Sequence, residues 1–271
     1  MKRVLITGAA SGLGAEIAKY YNQQGWSVCV ADILKDKGEA LVGQLNSEFN
    51  NNSFFLELNV TCESQWLKAS QEIHSRWNGL DCLINNAGVA SSGDMDKLLI
   101  QDFKWTLDVN IMGVANGCNV FIPMLKQSKG TIVNVASMAG FLHLPSMAAY
   151  NTSKAAVIAL SETLYAELDT HNVHVSVLCP AFFKTDLTKT MRVTEKSSIE
   201  RVNAMMESSK IKAPEVAKAL FDGVKNKQLY IFTHSTEKTL WKIKRFIPAL
   251  YFKLIKKVSK KIKAKMTAAT I

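Results

Sequence analysis

The chain has 271 residues, 48% apolar and 21% charged, a balance that fits one sizeable globular domain with a large core. Its formal charge of +10 is unevenly spread: residues 238–271 hold 11 Lys and Arg and no acid, so the first 237 carry 22 basic against 23 acidic groups, a net of −1. A neutral body with a basic tail argues against nucleic-acid binding, five separated cysteines argue against a disulfide framework, and scattered histidines argue against a metal site.

Met1-Lys2-Arg3 runs straight into an apolar stretch with no signal-peptide pattern. The uncharged runs 109–125 and 130–153 are interrupted by Asn, Pro, Ser or Gly where a membrane span needs continuous apolar surface. A reducing, cytoplasmic setting is the expectation.

Residues 3–6 form a short apolar run, followed at once by Thr7-Gly8-Ala9-Ala10-Ser11-Gly12-Leu13-Gly14 and a helical pattern through Ala15, Ile17, Ala18 and Tyr21. Strand, glycine turn and helix together bring backbone N–H groups and a helix N-terminus against a pyrophosphate. The spacing is G-x-x-x-G-x-G, not G-x-G-x-x-G. A second buried strand, 27–31, ends in Asp32. A carboxylate there holds both ribose hydroxyls of an adenosine and repels a 2′-phosphate. No Lys or Arg adjoins Asp32, and Ser11 rather than a basic residue precedes Gly12, so NAD(H) is favoured over NADP(H).

The alternation continues with a helix over 35–45, a strand over 53–58, a helix over 63–77, and a strand over 81–85 running into Asn85-Asn86-Ala87-Gly88. A long helix over 101–126 follows, then a strand over 131–136 and a helix from Tyr150 to about residue 170. A strand over 173–178 leads to Pro180; a helix over 214–226 and a strand near 229–232 complete the pattern. This order predicts an α/β, doubly wound fold with a mainly parallel sheet and helices on both faces. Ligands of such sheets bind beyond the carboxyl ends of the strands, where Gly8, Asp32, Asn59, Gly88, Ser137 and Pro180 are all expected.

The chemistry centres on residues 137–154, with a hydroxyl at Ser137, a phenol at Tyr150 and an ammonium at Lys154. On a helix the i,i+4 spacing puts Tyr150 and Lys154 on one face. A phenol ordinarily ionises near pH 10, and a cation beside it favours the phenolate, which suits moving a proton on or off a carbonyl or alcohol oxygen.

In combination these motifs resemble the short-chain dehydrogenase/reductase family over residues 2–232: T-G-x-x-x-G-x-G at 7–14, N-N-A-G at 85–88, Asn110, Ser137, and Y-x-x-x-K at 150–154. The resemblance implies one domain over 1–237 with a seven-stranded Rossmann sheet, a bound nicotinamide dinucleotide, and a homodimer or homotetramer. It implies Tyr150 as general acid and base, Lys154 as the group that lowers the phenol's pKa and grips the nicotinamide ribose, and Ser137 as donor to the substrate oxygen. Asn110, within the long helix, would hold a water linking Lys154 to solvent. Cofactor contacts are implied at Gly8, Ser11, Gly12, Leu13, Gly14, Asp32, Asn59, Val60, Asn86, Ala87, Gly88, Tyr150, Lys154, Pro180, Phe183 and Thr185. Two positions depart from the pattern: Asn59-Val60 stands where Asp and an apolar residue are usual, with Asn still offering an acceptor to the adenine amine. Pro180-Ala181 replaces Pro-Gly, putting a methyl group near the nicotinamide floor.

Residues 181–212 match the family's substrate loop and carry Phe182, Phe183, Leu187, Met191, Met205 and Met206. With Phe141, Leu142, Leu144 and Met147 they predict apolar, adaptable pocket walls suited to a lipophilic alcohol, aldehyde or ketone. A rival is a reductase of carrier-bound acyl chains, its basic tail meeting an acidic carrier; Asp32 argues against it. A dinucleotide-binding protein without turnover is opposed by the presence of Tyr150 and Lys154. In the extension over 238–271, Ile247, Tyr251, Leu254, Ile255, Val258 and Ile262 share one helical face, and Lys253, Lys256, Lys257, Lys260 and Lys263 occupy the other. That pattern suits a helix lying on the anionic inner face of a membrane, and equally one packing on its own body or on a second subunit.

Overall fold

The computed structural model describes residues 1–49 and 52–268, with the side chains of Glu237 and of residues 261–268 outside the description. The strands are β1 (Arg3–Thr7), β2 (Ser27–Asp32), β3 (Phe54–Glu57), β4 (Cys82–Asn85), β5 (Ser91–Ser92), β6 (Thr131–Val135), β7 (His174–Cys179), β8 (Arg192–Val193) and β9 (Tyr230–Phe232). The helices are α1 (Gly12–Gln23), α2 (Lys35–Phe49), α3 (Glu63–Trp77), α4 (Ile100–Leu107), α5 (Gly113–Ser128), α6 (Ala148–Glu167), α7 (Ser197–Glu207), α8 (Ala213–Lys225), α9 (Ser235–Phe246) and α10 (Pro248–Ala268).

Seven strands pair in the order β3-β2-β1-β4-β6-β7-β9, every pairing parallel. Each crossover needs a helix, and period-two alternation sorts the side chains between the two helical layers. On β1, Val4 and Ile6 pack with α1, α2 and α8, while Leu5 faces the layer of α3, α5 and α6. Val28 and Val30 against Cys29 and Ala31 divide β2 in the same way. The sheet order reverses between β1 and β4, and that switch point is where the glycine turn after β1 meets the Asn86-Ala87-Gly88 turn after β4.

Local signals account for the helix ends. Pro214 lies in the first turn of α8, and the Glu215 carboxylate accepts the Lys212 N–H at 2.8 Å. Asn78 closes α3 in the left-handed region at φ +52°.

The expected helix over 101–126 is in fact α4 and α5 joined by one wide π-type turn, Asp108–Met112, with Asn110 at its centre. Within the expected substrate loop, residues 181–212, lie α7 and the short strand β8, which pairs in parallel with β5 as a separate two-stranded sheet. Beyond β9, α9 already begins at Ser235, and α10 follows. All five cysteines are free thiols, and among the described residues no helix is long and apolar enough to cross a membrane.

Candidate active site

The turn after β1 is shaped by glycines. Gly8 (φ +62°) and Gly12 (φ +54°) adopt the left-handed region. A methyl group on Gly14 would sit 2.1 Å from the Gly8 carbonyl oxygen and 2.6 Å from Asn86 Nδ2, so the first turn of α1 lies directly against the strand end. At Gly12 the nearest atom to such a methyl is 3.8 Å away, leaving the backbone open on that side. Ser11 precedes α1 in an extended conformation and no side chain caps the helix. The opening N–H groups around Leu13 and Gly14 are therefore unclaimed by any cap, and a pyrophosphate fits that cradle.

Asp32 closes one side of it. The carboxylate is 7% exposed, accepts the Ala10 N–H at 2.9 Å and the Leu34 N–H at 3.0 Å, and joins none of the described ion pairs. Asn86 braces the turn from inside: its Nδ2 donates to the carbonyls of Thr7 (2.9 Å) and Gly8 (3.1 Å). The Thr7 hydroxyl in turn accepts the N–H groups of Asn86 and Ala87, each at 3.0 Å. The expected contacts at Asn86 and Ala87 are thus struts between the two turns.

The adenine end differs from expectation. Asn59 is exposed, but its Oδ1 already accepts the Thr61 N–H (3.1 Å) and hydroxyl (2.9 Å), so it is not a free acceptor for an adenine amine. The Val60 side chain is buried beneath Gly113, and its carbonyl accepts Trp66 Nε1 at 2.8 Å.

Ser137, Tyr150, Lys154 and Asn110 are brought together at the carboxyl edge of β6. Ser137 opens a single 3₁₀ turn, accepting the Ala139 N–H at 3.1 Å and donating to the Pro180 carbonyl at 3.3 Å. Tyr150 and Lys154 lie one turn apart on α6, the amine 5.8 Å from the centre of the phenol ring. Lys154 is 4% exposed, donates to the Val135 carbonyl at 2.8 Å, and is pushed down to about 8 by burial. Burial also raises the Tyr150 phenol above its ordinary value, and the neighbouring Ser137 hydroxyl acts in the opposite sense. Desolvation therefore governs the phenol, rather than the lysine charge expected from the spacing.

The Asn110 side chain is engaged with protein partners. Its Oδ1 accepts the Val89 N–H at 2.8 Å, and its Nδ2 donates to the Val89 carbonyl and to Ser153 Oγ, both at 2.9 Å. It ties the π-type turn to α6 and to the segment after Gly88. A methyl group on Gly88 would lie 3.4 Å from Lys154 Nζ, so these groups converge on one point.

On the substrate side, Met147, Met191, Val202 and Met206 form a buried apolar cluster with Ala90, and Tyr150, Phe182, Leu187 and Met205 pack against it. Phe141 and Leu142 do not line it. They belong to the core beneath α6, where Phe141 meets Tyr230, Phe232 and Trp241. Phe183 is buried in the opposite layer with α1 and α8, and Thr185 caps a short turn by accepting the Leu187 N–H at 3.3 Å. Pro180 follows β7, and its carbonyl accepts the Met138 N–H at 2.9 Å and the Ser137 hydroxyl at 3.3 Å.

A residue outside the motifs completes the surroundings. His234 Nδ1 lies 3.4 Å from the Ala181 N–H it accepts, and its Nε2 lies 3.4 Å from Ser209 Oγ at the foot of the substrate loop. No periodicity or spacing marked it, because its partners come together only through the sheet.

The family model for short chain dehydrogenases matches residues 2–196. The chain belongs to the short-chain dehydrogenase family. Among its relatives, trans-4-hydroxycyclohexanecarboxylate dehydrogenase of Sinomonas cyclohexanicum is 33% identical over 192 residues, 69% of this chain and 74% of that protein. The mitochondrial D-beta-hydroxybutyrate dehydrogenase of Rattus norvegicus is 32% identical over 221 residues, 80% of this chain but only 62% of that enzyme. A family member from Burkholderia phymatum, solved in complex with NAD, superposes with a TM-score of 0.86 at 30% identity, covering 92% of this chain and 94% of that one. The family membership makes this chain an oxidoreductase of the alcohol and carbonyl type.

Proposed function

We propose that the chain interconverts a lipophilic alcohol and its aldehyde or ketone, with NAD(H) preferred over NADP(H). The observation that carries the reading is the position of Tyr150, between the Ser137–Lys154 polar group and the apolar cluster of Met147, Met191, Val202 and Met206. A substrate held there presents an oxygen to the hydroxyl groups and a hydrocarbon body to the methionines.

In the reducing direction the Tyr150 phenol, kept neutral by burial, gives its proton to the carbonyl oxygen, and Ser137 donates a hydrogen bond to the same atom. The Lys154 ammonium, fixed by the Val135 carbonyl, stabilises the phenolate left behind. A nicotinamide dinucleotide, when bound, supplies or accepts the hydride. Asp32, with no cation paired to it, supports the NAD(H) preference by repelling a 2′-phosphate.

Tyr150→Phe tests the reading. Turnover of a chain-length series of alcohols and ketones, followed by NADH absorbance, is expected to fall at least about 1000-fold, while NADH fluorescence titration shows near-unchanged affinity. Turnover that survives the substitution would remove Tyr150 from the role of acid. A reductase of carrier-bound acyl chains is the second reading, favoured by the exposed lysines of α10, and a strong preference of the wild type for NADPH would support it instead.

A further inference from the structure

Helices α9 and α10 are held to the body by a narrow seam. Tyr251, 2% exposed, is buried in it, and Leu240, Trp241, Ile243 and Ile255 pack alongside. Lys244 Nζ donates to the Phe141 carbonyl and lies 3.1 Å from His143 Nδ1. The face expected from the sequence is therefore split. Tyr251 and Ile255 turn inward, Ile262 and Lys263 lie outside the described side chains, and the remaining apolar groups stay in solvent.

Most of what stays exposed is ordered. Leu250 (44%), Leu254 (40%) and Val258 (39%) stand at i, i+4 and i+8 along α10, Phe246 (76%) and Ile247 (53%) are exposed at the α9–α10 joint, and Phe252 (51%) stands off the row. Lys253, Lys256, Lys257 and Lys260 are exposed beside it, and no acid occurs in residues 238–271. Exposed apolar residues aligned in this way mark an interaction surface.

The charges choose between occupants. In a two-fold pairing of identical copies the same patch meets itself, so the lysines would face the partner's lysines. An acidic protein would satisfy the lysines but leaves no account of a straight apolar row. An anionic bilayer satisfies both, with phosphates at the ammonium groups and the acyl boundary beneath the apolar strip.

We infer that α9 and α10 form a docking surface for an anionic phospholipid bilayer, lying in its plane with Phe246, Ile247, Leu250, Leu254 and Val258 seated at the headgroup–acyl boundary. The surface shares its seam with the loop that follows Ser137, through Lys244 and the Trp241–Phe141 ring contact at 5.3 Å. The inference does not depend on the proposed reaction, because its test reads lipid and not turnover.

The experiment is flotation of the full chain with vesicles of pure phosphatidylcholine and with vesicles of equal parts phosphatidylcholine and phosphatidylglycerol. The wild type is expected to float with the anionic vesicles alone and to release in high salt. Each lysine near such a surface is worth about fivefold in partition, so Lys253→Gln, Lys256→Gln, Lys257→Gln and Lys260→Gln combined should weaken binding roughly 600-fold. Leu254→Ser with Val258→Ser should also abolish flotation at an unchanged thermal melt. Wild-type protein that stays at the bottom with anionic vesicles overturns the inference, as do variants that float like wild type. A wild-type dimer that the variants dissociate, with no vesicle binding in either, assigns the face to a second copy instead. If a variant fails to fold, the wild-type comparison between the two vesicle types still decides.

Discussion

Burying an ammonium to serve a reaction should cost the protein stability, and Lys154 makes that cost measurable. Its folded value of about 8 lies well below the ordinary 10.5, with burial the largest cause. Below pH 8 the amine is charged in both folded and unfolded chains, so the full desolvation cost of about 3 kcal/mol is present. Between pH 8 and 10.5 the folded amine loses its proton first, and the cost fades as pH rises. Lys154→Met removes the charge at similar volume but also removes the 2.8 Å bond to the Val135 carbonyl, worth about 1–1.5 kcal/mol. The cofactor-free variant should therefore be more stable than wild type by about 2 kcal/mol at pH 7, raising Tm by about 4–8 °C. Near pH 10 the difference should vanish or reverse. Circular-dichroism melts of both proteins at pH 7 and pH 10 read this directly, and NADH-coupled turnover should be lost in the variant. A variant less stable than wild type at pH 7, or a gap that does not change with pH, would refute the argument that the site is held at a cost to the fold.

Two further substitutions test the cofactor cradle. Gly14→Ala places a methyl group 2.1 Å from the Gly8 carbonyl oxygen, which neither backbone can yield, and should destabilise the fold by about 3 kcal/mol while abolishing NADH binding by fluorescence. Asp32→Ser removes the acceptor of the Ala10 and Leu34 N–H groups together with the negative charge. Affinity for NADH should drop about 10–100-fold, with NADPH affected less, so the ratio of the two fluorescence affinities narrows; an unchanged ratio would separate Asp32 from cofactor choice.

The sheet was legible because its signals are local and periodic. Short apolar runs alternating with helical patterns place all seven strands of the main sheet, and glycines at 8, 12 and 14 mark the first turn from sequence alone. The pairing of Tyr150 and Lys154 was legible for the same reason, since they are one helical turn apart. What the sequence hid depends on distant partners. The π-type turn at Asn110 arises where the side chain reaches Val89 and Ser153, 21 and 43 residues away, and no composition signal distinguishes it from a continuous helix. Asn59 has an acceptor in any sequence reading, but the neighbouring Thr61 takes it. Phe141 and Phe183 are apolar in the right segments, yet the fold turns both into the core, because β9 and α9 supply rings for the first and α1 and α8 surround the second.

The same dependence on distant partners changes how the C-terminal part is understood. The family model ends at residue 196, yet two later residues hold the loops of the candidate site. His234, at the junction of β9 and α9, accepts the Ala181 N–H directly after Pro180, whose carbonyl in turn accepts the Met138 N–H at 2.9 Å and the Ser137 hydroxyl. Lys244 holds the Phe141 carbonyl three residues further along that loop. Ser137 is thus flanked on both sides by hydrogen bonds that begin at His234, just before α9, and at Lys244 within it, both outside the matched family region. Ala181 fits this arrangement: a glycine there would give the turn more freedom, whereas the methyl group narrows the backbone conformations open to it. The extension after β9 therefore belongs to the architecture of the site, and a truncation at residue 232 would remove an anchor of the serine loop along with the basic helix.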